Sequence, residues 1–145
     1  MTIYAIAIAT NLEKAKHLQL CLDTLKTWGS WKVSSIYEIP CRDQVGADYW
    51  NAACLLESSM TVEQVVTSLK QLEQDAGRKR PSHSISLDVD LIAWGDTFQS
   101  MHFNPKKLPL ADDVVIPLAD IWQDERLKQI THDFMRINLA QMNSN

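Results

Sequence analysis

Hydrophobic residues in this chain change period in a fixed order, and that order admits few folds. Ile3 to Ala9 is a short apolar run with β-branched residues and reads as a strand. Thr10-Asn11-Leu12-Glu13 has the capping-box pattern, a hydroxyl followed three residues later by Glu, and predicts a helix start. Ala15, Leu18, Leu22 and Leu25 follow at helical spacing, with Lys14, Lys16 and Gln19 outside, so an amphipathic helix ended by Gly29-Ser30 is expected. Trp31 to Glu38 reads as a second strand, Ile39 to Asp48 as a loop, and Tyr49 to Glu57 as a third strand. Thr61-Val62-Glu63-Gln64 is a second capping box. Val62, Val65, Val66, Leu69, Leu72 and Ala76 form the apolar face of its helix, and Gly77 suits the position just past the end. Ser86 to Trp94 is a fourth strand.

Strand, helix, strand, strand, helix, strand is the ferredoxin-like order: an α+β sandwich with helices against an antiparallel sheet. Beyond it, Thr97 to Phe103 reads as a short strand, Asn104 to Pro109 as a loop, and Ala111 to Ile121 is ambiguous. Glu125 to Gln141 reads as a helix, a C-terminal helical extension with Leu127, Ile130, Phe134, Ile137 and Leu139 apolar. The 145 residues suit a single domain with one core, spanning 1–145.

The formal net charge of −4 argues against a general nucleic-acid binder, whose affinity rests on phosphate neutralisation, but leaves room for a small anion in a local basic pocket. Cys21 falls on the apolar side of the first helix and Cys54 in the third strand, and no C-x-x-C occurs, so reduced core thiols are expected. No run approaches transmembrane length, and the apolar start lacks a basic segment ahead of it. No membrane partner is expected, and a reducing cytoplasm is the simplest setting.

The fourth strand carries the densest chemistry. Ile85, Leu87, Val89 and Leu91 share one parity, and Ser86, Asp88 and Asp90 the other. Residues i and i+2 on a strand face lie roughly 6.5–7 Å apart, so the two carboxylates project together. Carboxylates that close repel, and a neutralising partner is expected. Mg²⁺ shared with substrate phosphates is one such partner; a solvated acidic face is the bland alternative. The preceding loop, Arg78-Lys79-Arg80-Pro81-Ser82-His83-Ser84, is basic. Arginine forks bind phosphate oxygens, and cations beside a carboxylate-held metal suit phosphoryl-type transfer. A solvated turn near a helix C-terminus reads equally well.

Gly77-Arg78-Lys79-Arg80, followed by Ser86-Leu87-Asp88-Val89-Asp90-Leu91-Ile92 and Gly95, resembles the signature of the 6-hydroxymethyl-7,8-dihydropterin pyrophosphokinase family. Ile6 to Leu12, Val33 to Glu38, Asp48 to Ala53, Leu72 to Arg78, and Pro117-Leu118-Ala119-Asp120-Ile121, which resembles a late turn of the family pattern, agree in order. The resemblance implies a ferredoxin-like sandwich that transfers pyrophosphate from ATP, the co-substrate, to the pterin hydroxymethyl group and leaves AMP. It implies two Mg²⁺ ions held by Asp88 and Asp90, with Arg78 and Arg80 facing the triphosphate as catalytic and nucleotide-binding groups. It gives Asn51 the pterin edge, Tyr49 the pterin ring, and Pro40 a place in that pocket. Val66, Glu73 and Leu91 match positions near the nucleotide. The implied partners are the two small substrates, and the implied state is a monomer.

Departures from the family pattern are specific. Its opening Gly-Ser-Asn is Ala9-Thr10-Asn11 here, and its Thr after Tyr-Glu is Ile39. Its Arg-Trp-Gly-Pro-Arg element is absent, and Pro81-Ser82-His83-Ser84-Ile85 stands there instead. Its Pro-His pair corresponds to Asn104-Pro105, and the Phe of its pterin sandwich falls near Asp113. Two other readings therefore stay open: a weakened or silent paralogue that binds a pterin or nucleotide, and a ferredoxin-like interaction module. Tyr49 also reads as a core aromatic, Asn51 as a turn or edge residue, Glu73 as an exposed helix charge, and His83 as a solvated loop histidine.

Overall fold

Alternation in the first strand gives the sheet two unlike faces. A computed structural model describes residues 1–42, 45–77 and 84–139. Strand β1 (Thr2–Thr10) points Tyr4, Ile6 and Ile8 to one face and Ile3, Ala5 and Ala7 to the other. Helices α1 (Lys14–Leu25) and α2 (Val62–Asp75) cover the bulky face, packing Leu18, Cys21, Leu22, Leu25, Val65, Leu69 and Leu72 onto it. Each such aliphatic side chain, fully buried, contributes about 1.5–3 kcal/mol. Helix α3 (Asp112–Ile121) covers half of the alanine face with Val115 and Leu118. The other half stays open.

β1 is central. It pairs antiparallel with β4 (Tyr49–Ser58) on one side and β5 (Asp88–Gly95) on the other. The remaining strands are β2 (Ser30–Val33), β3 (Ile36–Ile39), β6 (His102–Phe103) and β7 (Met135–Ile137). The sheet order is β6-β5-β1-β4-β3-β7, with β2 also against β4. With β2 and β3 taken together, the four expected strands lie in the ferredoxin-like order, all antiparallel.

Several expectations need correction. The first capping box does not form: Thr10 ends β1, and its hydroxyl donates towards the Leu12 carbonyl at 3.3 Å. α1 starts instead behind Glu13, which adopts a left-handed backbone (φ 45°) and gives no side-chain cap. The second box forms as expected, with Thr61 and Gln64 capping each other's backbone N–H. Gly77 occupies the left-handed position after α2 (φ 79°). Gly29 does not end α1, which stops at Leu25; it is needed because a Cβ there would lie 2.1 Å from the Glu57 carbonyl oxygen.

The expected strand over Trp31 to Glu38 is two strands on one partner. Val33 faces Cys54 and Tyr37 faces Asn51, so one extra residue must be absorbed between them. Ser34 does this: its Oγ accepts the Ala53 N–H at 2.8 Å, and its own N–H donates to the Ala53 carbonyl at 2.9 Å.

The helix expected over Glu125 to Gln141 is not there from Glu125 to Asn138. Met135–Ile137 is β7, which covers the otherwise open edge of β3, with Ile36 opposite Ile137 and Glu38 opposite Met135. Edge pairing outweighs local helical period in so short a segment. Among the described elements the last helix is α3, in the ambiguous segment, and it takes in Pro117 to Ile121, which resembled a turn. Thr97 to Phe103 holds a short helical turn (Phe98–Ser100) before β6.

Cys21 and Cys54 are buried and carry no disulfide. Burial pushes both thiols up, Cys54 to about 12, as suits inert core residues. Among the described residues no helix is long and apolar enough to cross a membrane.

Candidate active site

The open half of the alanine face is where the polar groups gather. Register places Asp88 beside Ala9 and Ala9 beside Asn51; one row along, Asp90 lies beside Ala7 and Ala7 beside Ala53. Paired residues share a face, so Asp88, Asp90 and Asn51 project together, with Tyr49 two residues before Asn51 on that face. The alanines between them leave a hollow. A register shift in β5, with Ala5 opposite Ala93 and Ile6 opposite Leu91, puts both Ile92 and Ala93 against the α3 layer. The first turn of α3 closes the far side with Asp113 and Val114. The result is a cavity of about 270 Å³ lined by Tyr49, Asn51, Asp88, Asp90, Cys41, Arg42, Asp113 and Val114 over a floor of Ala7, Ile8 and Ala9.

Asn51 is 5% exposed, and its Nδ2 has no hydrogen-bond partner among the described residues. A buried amide donor left unmade costs about 1–3 kcal/mol, so its persistence in a cavity wall points to a ligand acceptor. It is neither a turn nor an edge residue; it sits mid-sheet.

The carboxylates have their own electrostatics. Asp90 Oδ1 accepts from Lys107 Nζ at 2.8 Å. Lys107 is delivered by a helical turn (Pro105–Lys107) capped by Asn104, whose Nδ2 donates to the Leu91 carbonyl at 3.0 Å. Asp88 and Asp90 are oxygen donors on one strand face, and one already holds an ammonium. That donor set fits a hard divalent cation, which commonly takes one or two carboxylates and completes its shell with water and phosphate oxygens. Among the described residues no cluster of three or more His, Cys, Asp or Glu side chains is arranged for a metal. Arg42 forms a two-point pair with Asp113, Nε to Oδ2 at 2.8 Å and Nη2 to Oδ1 at 2.7 Å. The Asp113 hydrogen bonds push the Arg42 guanidinium above its ordinary pKa, with smaller contributions from the charges of Asp113, Asp88 and Tyr49.

A sequence model of the 7,8-dihydro-6-hydroxymethylpterin-pyrophosphokinase (HPPK) family matches residues 5–136. The chain belongs to this family. The match runs from β1 into β7 and takes in every residue that lines the cavity. HPPK chemistry is pyrophosphoryl transfer from ATP to hydroxymethyldihydropterin in folate synthesis, a diphosphokinase reaction.

Four residues singled out from the sequence, Tyr49, Asn51, Asp88 and Asp90, come together in the one cavity. Pro40 does not line it; it lines the neighbouring cavity between β3, α3 and residues 130–134. Leu91 is buried on the opposite face of β5, and Val66 packs against the same core. Glu73 is half-buried, and its Oε2 accepts the Val89 N–H at 2.9 Å, tying α2 to β5 behind the carboxylates. Arg78, Arg80 and His83 lie outside the described residues. Sequence reasoning missed Cys41, Arg42, Lys107 and Asp113. The alternating Ala5, Ala7 and Ala9 are a signal that could have pointed to a hollow; nothing local signals a pair between residues 71 apart.

Proposed function

We propose that the protein is a Mg²⁺-dependent pyrophosphokinase that joins the β- and γ-phosphates of ATP to the hydroxyl of 6-hydroxymethyl-7,8-dihydropterin. The observation that carries this is the shared cavity of Asn51, Tyr49, Asp88 and Asp90 in a chain of the HPPK family. The hydroxymethyl oxygen attacks the β-phosphorus, the bond from that phosphorus to the α–β bridging oxygen breaks, AMP leaves with the electron pair, and the hydroxyl proton is lost. Asp88 and Asp90 would hold Mg²⁺, which when bound neutralises phosphate charge and aligns the reacting oxygens.

The chain's own residues do the rest. Asn51 Nδ2 donates to an acceptor on the pterin edge, which relieves its buried orphan. Tyr49, half-exposed on the cavity, offers its ring to the heterocycle. Arg78 and Arg80 supply cations to the triphosphate from the segment that follows α2. Val66 and Glu73 support β5 from α2, Leu91 packs from β5 into the same core, and the nucleotide runs past that side.

A second reading is favoured by one observation: Asp90 already has Lys107 as its counter-ion. A member that binds pterin without turnover would keep that pair. One experiment separates the two. Incubation with ATP, Mg²⁺ and the pterin should yield AMP and pterin diphosphate in equal amounts, with no AMP when the pterin is left out. Saturable pterin binding with no AMP would select the silent reading, and no binding of either substrate would reject both.

A further inference from the structure

The wall of the cavity that sequence reasoning missed is the one anchored to α3 instead of the sheet. Arg42 follows β3 in the chain, and Asp113 sits in the first turn of α3. The two side chains meet in a fork: Nε and Nη2 reach the two carboxylate oxygens at 2.8 and 2.7 Å. Two parallel bonds of this kind fix the plane of a guanidinium as well as its position. The carboxylate is sheltered, with 13% side-chain exposure, while Arg42 is 69% exposed. An open arginine normally samples many rotamers; this one is tied down.

Its charge is already matched by Asp113, so the pair has little net attraction for a second anion. What remains available is the flat face of the guanidinium, a surface that stacks on aromatic rings. Arg42 and Asp113 both line the cavity that holds Asn51 and Tyr49, and both also line the neighbouring cavity. The pair therefore stands between the two hollows and borders both. Tyr49, on the same cavity, is a second flat surface, and the Asn51 amide lacks an acceptor.

We propose that Arg42, held flat by Asp113, is a substrate-positioning residue whose guanidinium stacks on the planar bicycle of the pterin. The proposal rests on the pterin reading above and deepens it. Arg42 acts by its plane, not by its charge alone. Lysine therefore cannot replace it, and loss of Asp113 weakens binding even though Asp113 need not touch the ligand.

The test is the Kd of 6-hydroxymethyl-7,8-dihydropterin, read by fluorescence titration with the wild-type chain and with Arg42→Ala, Arg42→Lys and Asp113→Asn, each checked for folding by circular dichroism. Arg42 is exposed, so its variants should fold. Loss of stacking should weaken binding by roughly tenfold in Arg42→Ala and by nearly as much in Arg42→Lys. Asp113→Asn should fall between these and the wild type. An unchanged Kd in Arg42→Ala overturns the proposal. Full recovery in Arg42→Lys also overturns it, leaving a simple charge effect. Absence of saturable pterin binding by the wild-type chain rejects the pterin reading itself, and this inference with it, a result distinct from the first two.

Discussion

Lys107 Nζ lies 2.8 Å from Asp90 Oδ1, so one of the two strand carboxylates is neutralised by the chain's own cation. Both side chains are about one-third exposed, 37% and 31%, so the pair is a partly solvated one. A cation arriving at Asp88 and Asp90 competes with it. Lys107→Ala should therefore tighten Mg²⁺ binding in the absence of nucleotide, by up to about 1 kcal/mol, the upper range for such pairs. Calorimetric titration at low and high salt checks this, and the gain should shrink as salt screens the site. Unchanged or weaker Mg²⁺ binding would show that the ion pair and the cation do not share Asp90.

Asn51 sets stability against binding. Its Nδ2 is buried without a partner among the described residues, while its neighbours Ala9 and Tyr37 complete the strand pairing regardless of its side chain. Asn51→Leu removes an unmade donor of about 1–3 kcal/mol, so the variant should be as stable as the wild type or more stable. Pterin affinity should fall at least tenfold, the loss expected for one edge hydrogen bond in a dry pocket. Urea unfolding and a pterin titration on the same preparation test both halves. Destabilisation with unchanged affinity would show that Asn51 is structural.

Tyr37 ties the sheet to α3. Its hydroxyl donates to Asp120 Oδ2 at 2.7 Å, and Arg136 Nη2 approaches it at 3.4 Å. Burial first, and the Asp120 bond second, raise its pKa above the ordinary tyrosine value. The folded state thus holds the phenolic proton more tightly than the unfolded chain does. That stabilisation is complete below the unfolded pKa of about 10 and is lost as pH rises through the folded value. Tyr37→Phe should cost about 1 kcal/mol at neutral pH and flatten the decline in stability between about pH 9 and pH 11. Denaturant midpoints across that range check it, and identical slopes in both proteins would contradict it.

The sheet was legible because its evidence is local. β1, β4 and β5 each hold enough alternating or continuous apolar residues to be read in a short window, and Thr61 to Gln64 announces α2 by itself. β7 and α3 were not, because their identity depends on distant partners. Met135–Ile137 is a strand only because β3 offers an edge, and Asp112–Ile121 is a helix against the alanines of β1 despite Pro117. The site divided the same way. Asp88, Asp90, Tyr49 and Asn51 lie in readable strands, whereas Arg42 with Asp113 and Lys107 with Asp90 are contacts across chain separations of 71 and 17 residues. The false cap at Thr10 shows the reverse error: a correct local pattern was overridden because β1 extends through Thr10 to pair with Trp50.

The most direct test of the account is pterin-dependent AMP release by the wild-type chain beside Asp88→Asn and Asp90→Asn, at saturating Mg²⁺ and ATP. The account predicts AMP from the wild type only when 6-hydroxymethyl-7,8-dihydropterin is present. It also predicts a loss on the order of 100-fold or more in each variant, with pterin binding retained. Variants that turn over at the wild-type rate, or AMP released by the wild type without the pterin, would contradict it.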